Sequence, residues 1–272
     1  MVLKMNTNSN SANIVTALGT GGYIPNGVRE TSCVLLKLGG TAILFDAGTG
    51  CRRLSETRVV ELLRDVSTLH VVLSHLHHDH IAGLTWLLRL WTRSLVIYVP
   101  TEPILSCNGV ASLRSITTRP YFGLPLDEWP SKPVVKAIDG AVLDVDGIEV
   151  SVLHQRHDGG SAGYRVGSFA YITDTEPDER HVQFLRDCPV VFMDTMYDAA
   201  HRQSLLTEDT NVLDHGSSVS NGRIASDAHV GRLGLVHLDP GYDETSVDRL
   251  RQEVQAVFAD VFIPVEGQSY SL

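Results

Sequence analysis

Thiols are sparse in this sequence. Cys33, Cys51, Cys107 and Cys188 are scattered along the chain, and none forms a Cys-x-x-Cys pair. That spacing excludes a thiolate zinc site and a dithiol redox motif, and thiols without a framework fit a reducing compartment. Basic charge is also short: 22 Lys and Arg stand against 32 Asp and Glu, a formal net charge of −10. A surface of that sign has no general electrostatic footprint for nucleic acid, so a stable nucleic-acid complex is not expected. An anionic substrate must then be drawn by a local positive feature, and bound metal would be one. No apolar run approaches membrane-spanning length. The opening "MVLKMNTNSNSANIV" lacks the apolar stretch of a signal peptide. Together these absences predict a soluble cytoplasmic protein that meets no membrane. Its 272 residues suffice for one large domain over 1–272.

Short apolar runs alternate with amphipathic stretches. "NIVTAL", "CVLLKL", "AILFDAG", "HVVLSH", "SLVIYVP", "IEVSVLH", "GYRVG", "FAYITD", "VVFMDT", "LGLVHL" and "DVFIPV" read as strands. Many are β-branched and bounded by Gly, Asp or Pro. "GLTWLLRLW" reads as a helix, as does "PDERHVQFLRD" with Pro177 in its first turn. "ETSVDRLRQEVQAVF" puts Val247, Leu250, Val254 and Val257 on one helical face. Strands come first in runs and later alternate with helices, which predicts an α/β protein of two sheets with helices outside. "TTRPYFGLPLDEWPSKP" is irregular and reads as a surface loop exposing Tyr121, Phe122 and Trp129.

The densest chemistry lies in "VVLSHLHHDHIAG", where His75, His77, His78, Asp79 and His80 follow an apolar run. Alternate residues of an extended chain point the same way, so His75 and His77 can reach one ion together. Asp79 and His80, where the chain turns into a helix, can face a second. His78 is out of phase and is given no role. Imidazole with carboxylate suits zinc and its borderline neighbours, whereas calcium demands oxygen ligands. Further donors stand where other apolar runs stop: His154, His157, Asp174 and His237. Each alone could be a turn residue; their joint presence argues for two metals.

The motif H-L-H-H-D-H resembles the signature of the metallo-β-lactamase superfamily, and "AILFDAGTG" its preceding strand. "ALGTGGYIPNGVRETSCVLL", "HDGGSAGYR", "YITDTE", "DHGSS" and "LVHLDP" resemble motifs of the ribonuclease Z branch, in the right order. The resemblance implies an αββα sandwich of two mixed sheets with outer helices. It implies one ion held by His75, His77 and His157, another by Asp79, His80 and His237, and Asp174 bridging them. His154 competes with His157, which is preferred because its neighbours match the branch. Asp46 would orient a ligand, though a strand cap reads almost as well.

Two departures matter. The branch reads Gly-His-Ser where this chain has "DHGSS", an altered turn around His215. Only 16 residues separate His157 from Asp174, leaving no room for the tRNA-gripping arm that ribonuclease Z carries there. The expectation is therefore a phosphodiesterase with two divalent ions, Zn2+ or alternatively Mn2+. It would hydrolyse a small, cyclic phosphodiester or nucleotide, with Asp79 handling the attacking water and His215 the leaving group. Arm-less members of the branch include phage enzymes that destroy the cyclic-nucleotide signals of the Pycsar defence, and such enzymes are often homodimers. The irregular loop around Tyr121 is expected at a dimer interface or over the pocket. Lactonase or β-lactamase chemistry, ribonuclease Z activity and a degenerate regulatory module are the alternatives.

Overall fold

The computed structural model of the chain describes residues 13–207 and 214–272. The opening stretch "MVLKMNTNSNSANIV", read above as lacking a signal peptide, lies almost wholly outside the described residues. In chain order, β1 (Ile14–Gly19), β2 (Cys33–Leu38), β3 (Thr41–Phe45), β4 (Thr68–Val72), β5 (Ser94–Pro100) and β6 (Val134–Ile138) form one sheet. β7 (Val142–Val145), β8 (Ile148–Gln155), β9 (Ser161–Val166), β10 (Phe169–Ile172), β11 (Val190–Asp194), β12 (Arg232–Val236) and β13 (Val261–Phe262) form the other. β14 (Ser269–Ser271) returns to pair with β1. Each sheet is antiparallel through one half and parallel through the other. The parallel pairings are β3 to β6 and β10 to β13.

The period-2 alternation of the strands builds the layers. Along β3, Ile43 and Phe45 face inward against Tyr164, Phe169 and Tyr171 of the second sheet. Ala42 and Leu44 face outward, onto a cluster with Val59, Leu84, Leu87 and Leu113. These come from α1 (Thr57–Leu62), a 3-10 turn, α3 (Leu87–Leu90) and α4 (Gly109–Ile116); α2 (His78–Ile81) lies just before that turn. The outer face of the second sheet, with Val191, Met193, Leu233 and Leu235, packs on Val182, Ile224, Val247 and Leu250. Those belong to α5 (Glu179–Phe184), α7 (Ser218–Asp227) and α8 (Glu244–Gln255). α6 (Ala199–Thr207) follows β11. The result is the expected αββα sandwich.

Several local expectations are corrected. The predicted helix "GLTWLLRLW" is a 3-10 turn, Leu84–Trp86, followed by the single turn of α3. Pro177 precedes α5, whose N-cap is Asp178; the Asp178 carboxylate accepts from the Arg180 amide and the His181 ring closes a capping box. Val257 lies past the end of α8 and is exposed, whereas Val247, Leu250 and Val254 are buried as expected. The strands β6, β7 and β14 carry charged or polar residues and escaped the apolar pattern.

The largest correction concerns the irregular loop. Tyr121 is exposed, but Trp129 is only 1% exposed and Phe122 packs against the same outer cluster. The Trp129 indole N–H donates to the Leu124 carbonyl at 2.9 Å, and the two rings meet edge-on at 6.0 Å. Phe122 and Trp129 thus close the first sheet's outer core, and of the three aromatics Tyr121 alone stays exposed. Trp129→Ala should cost about 3–5 kcal/mol of stability, as large aromatic-to-alanine changes in a core do. A denaturant midpoint within experimental error of the parent would contradict this packing.

Candidate metal centre

Functional side chains gather where the parallel strands end, the usual place for sites in open α/β sheets. Asp46 follows β3, and the His75–His80 segment follows β4. Asp174 follows β10, Asp194 ends β11, and His237 follows β12. Asp46, Asp174 and His237 all have left-handed backbone, at φ of 57°, 47° and 55°. Such strain costs of order 1–3 kcal/mol per residue and clusters at functional sites. The ordered sheet edges on either side hold it in place. Gly48 makes the tight turn possible: a Cβ there would stand 2.2 Å from the Asp79 carbonyl oxygen.

Asp46 organises one half of the site. Its carboxylate is fully buried and accepts from the Ser74 amide at 2.7 Å, the Ser74 hydroxyl at 2.8 Å and the Tyr171 hydroxyl at 2.9 Å. His80 Nδ1 lies 2.7 Å away. With Nδ1–H directed at a carboxylate, His80 presents the Nε2 lone pair to the cluster. The Ser74 hydroxyl, committed to Asp46, accepts from His75 Nδ1 at 2.9 Å, which frees His75 Nε2 in the same way. That atom is buried and has no hydrogen-bond partner.

The expected donors converge. His75, His77, His157 and Asp174 offer ligand atoms all within 4.8 Å of one another, as do Asp79, His80, Asp174 and His237. Asp174 is common to both groups. Its Oδ2 lies 3.7 Å from His75 Nε2 and 3.7 Å from His157 Nε2; its Oδ1 lies 3.1 Å from His80 Nε2 and 3.3 Å from His237 Nε2. His77 Nδ1 is 3.0 Å from His157 Nε2, and Asp79 Oδ2 is 3.1 Å from His237 Nε2. Atoms bound tetrahedrally to zinc at ~2.0–2.1 Å stand about 3.3 Å apart. Spacing, donor chemistry and the orphaned His75 nitrogen all fit divalent metal ions. His154 is exposed on β8 and outside both groups, and His78 is exposed too.

Electrostatics separates the histidines. Burial pushes His75 well below its ordinary value, aided by His80, and burial also lowers His157; both favour the neutral, ligating form. Burial would likewise lower His80 and His237, but carboxylates win. Asp174 and Asp46 hold His80 well above its ordinary value. Asp174 and Asp194 carry His237 up to about 10. Burial opposes ionisation of Asp174, yet His237 and His80 keep it well below the usual carboxylate range. The buried carboxylates thus favour positive charge at this point, which a divalent ion would supply.

His215, in the loop before α7, is buried beside the cluster with its ring stacked 5.1 Å from His237. Its Nδ1 is 2.9 Å from Asp194 Oδ2. Burial would lower His215, but Asp194 outweighs it and the group is raised. Asp194 escaped the sequence reading. The signal was present, because "VVFMDT" ends a strand with Asp just as the Asp46 and Asp174 strands do. Asn221 fixes this corner by donating to the Asp194 carbonyl at 2.6 Å.

Fold and site together define a metal-dependent hydrolase of the metallo-β-lactamase type. Residues 41–246 match the model of the Beta-lactamase superfamily domain, and the chain belongs to that superfamily. Ribonuclease Z of Natronomonas pharaonis is 25% identical, with 95% of this chain and 97% of that protein matched. That match runs over 322 positions, so the relative carries stretches this chain lacks. The metallo-β-lactamase fold protein YhfI of Bacillus subtilis superposes with a TM-score of 0.75 at 23% identity, over 96% of this chain and 100% of that one. Human tRNase Z, short form, gives 0.63 at 19% identity, over 95% and 98%. At those identities the two structures speak for the fold alone.

Asp46→Ala would leave the Ser74 amide, the Tyr171 hydroxyl and His80 Nδ1 buried without their acceptor. Each orphaned group costs roughly 1–3 kcal/mol, and losing an orienting carboxylate typically weakens metal binding about 10–100-fold. Thermal unfolding and zinc titration should both shift. A variant with parental metal affinity would separate Asp46 from the site.

Proposed function

We propose that the chain is a dinuclear metal phosphodiesterase acting on a small nucleotide-type diester, cyclic by preference. The observation that carries this reading is His215 on Asp194. It is a buried imidazole beside the two donor groups that neither of the expected ligand shells requires. His75, His77 and His157 would hold one ion, Asp79, His80 and His237 the other, and Asp174 both. Imidazole with carboxylate suits Zn2+, with Mn2+ second. Two such ions, when bound, supply a nucleophile at neutral pH and charge stabilisation at a phosphate oxygen.

The chain's own groups do the rest. Asp79 Oδ2, fixed by the Tyr23 amide at 2.9 Å, orients the attacking water and takes its proton. Asp194 holds His215 by Nδ1, leaving Nε2 to give a proton to the departing ribose oxygen. Asp194 raises His215 above its ordinary value, which favours the protonated, donating form. The molecule acts as one domain over 1–272 and works as a homodimer.

The ribonuclease Z relatives favour a second reading, cleavage of RNA. Against it, the interval from His157 to Asp174 is filled by the short β9–β10 hairpin, and the chain is acidic. The metal-loaded protein should hydrolyse a nucleoside 3′,5′-cyclic phosphate and leave precursor tRNA intact. Efficient trailer removal at physiological salt, with cyclic and linear diesters untouched, would give the site to RNA.

Acid assistance is worth typically about 10²–10⁴-fold in rate. His215→Ala should therefore lose on that order with a ribose leaving group while keeping its metals. A p-nitrophenyl diester, whose leaving group needs no proton, should suffer far less. Equal losses on both substrates would assign His215 to phosphate binding.

A further inference from the structure

Tyr23 sits beside the metal centre, its amide on Asp79, and the residue is 64% exposed. Its backbone is left-handed, at φ 59°, a genuine outlier for a bulky residue. Four hydrogen bonds impose that conformation. The Gly21 amide donates to the Glu30 carbonyl at 2.8 Å, Gly22 to Leu238 at 2.9 Å, Ile24 to Gly22 at 2.7 Å, and Tyr23 to Asp79 Oδ2 at 2.9 Å. Gly22 lies directly over His237: a Cβ there would be 2.6 Å from the imidazole Cε1. The segment therefore has one path, and that path sets an apolar ring in water beside the donor cluster. The neighbouring Ile24 and Val28 are exposed as well.

A second ring completes the arrangement. Tyr197 follows β11 and lies 5.9 Å from His215, edge-on; Tyr23 lies 6.2 Å from the same imidazole. Tyr197 is tied to the His215 loop in both directions, its amide donating to the Gly216 carbonyl and its carbonyl accepting from the Ser218 amide. The two phenol rings thus flank His215, the group assigned above to the leaving oxygen. An aromatic ring next to a phosphate site can stack a planar base, and here the backbone that carries each ring is already fixed by hydrogen bonds.

We infer that Tyr23 and Tyr197 form an aromatic wall that stacks the nucleobase of the substrate, making Tyr23 a specificity-determining residue. This rests on the phosphodiesterase reading and narrows it: nucleotide diesters are selected over diesters lacking a base. Every base has a π-face, so the wall selects a base without choosing among bases.

The test compares ligands that differ only in the base. Adenosine 5′-monophosphate and ribose 5-phosphate are titrated into the metal-loaded protein by calorimetry, and both are tested as inhibitors of diester hydrolysis. The parent should bind the nucleotide more tightly. Tyr23→Leu should weaken the nucleotide roughly 10-fold or more, in the range of base–aromatic stacking, and leave ribose 5-phosphate unchanged. Tyr23→Phe, which keeps the ring, should bind as the parent does. Equal affinity of the parent for both ligands would overturn the inference, as would parallel losses for both in Tyr23→Leu. A change of molecular mass in light scattering without a change in nucleotide affinity would also overturn it, giving Tyr23 to a contact between copies. Tyr23-dependent nucleotide binding in a protein that hydrolyses no diester would keep the wall and sink the phosphodiesterase reading.

Discussion

One buried carboxylate carries much of this molecule. Asp46 leaves the first sheet at the end of β3 and accepts from Ser74 on the same sheet, from Tyr171 on the opposite sheet, and from His80 in the cluster. A charge at zero exposure is tolerable only when each lone pair finds a donor. The four donors that satisfy it thereby register the two sheets against each other. The same contacts select the tautomers of His75 and His80 that aim Nε2 into the site. Sheet packing and ligand geometry are therefore one constraint.

The other half of the centre repeats the device. Asp194 ends β11, is fully buried, and lies against both His215 and His237. Two buried carboxylates thus stand behind two histidine groups, with Asp174 between. Closing such a site against repulsion among carboxylates needs cations. The same carboxylates raise His80, His215 and His237 above their ordinary values.

The rim obeys a different logic from the centre. Inside, polar atoms are oriented by buried partners and tolerate little change. Outside, the Gly22–Tyr23 turn and Tyr197 are fixed by backbone hydrogen bonds, and the Tyr23 side chain is left exposed. Binding residues are often carried in this way, on loops positioned by a rigid scaffold.

Periodicity and donor chemistry were enough to read two sheets with helices outside, most strands and the dense histidine motif; the αββα sandwich came from the family resemblance. Alternation every second residue decides which face of a strand is apolar, and His75 and His77 inherit a shared direction from that geometry. The family motifs pointed to His157 over His154, and the structure places His157 by the cluster. Sequence reading failed where burial does not follow local pattern. β6, β7 and β14 are edge or near-edge strands whose polar residues face solvent. Trp129 enters the core from a loop with no periodicity. Asp194 resembles any strand-ending Asp until β11 and β12 pair in parallel and set it between two histidines. The ligand types were written in the chain. Which nitrogen each imidazole presents, and which tyrosine faces the centre, depends on residues far apart in sequence, and only the packed sheets bring those together.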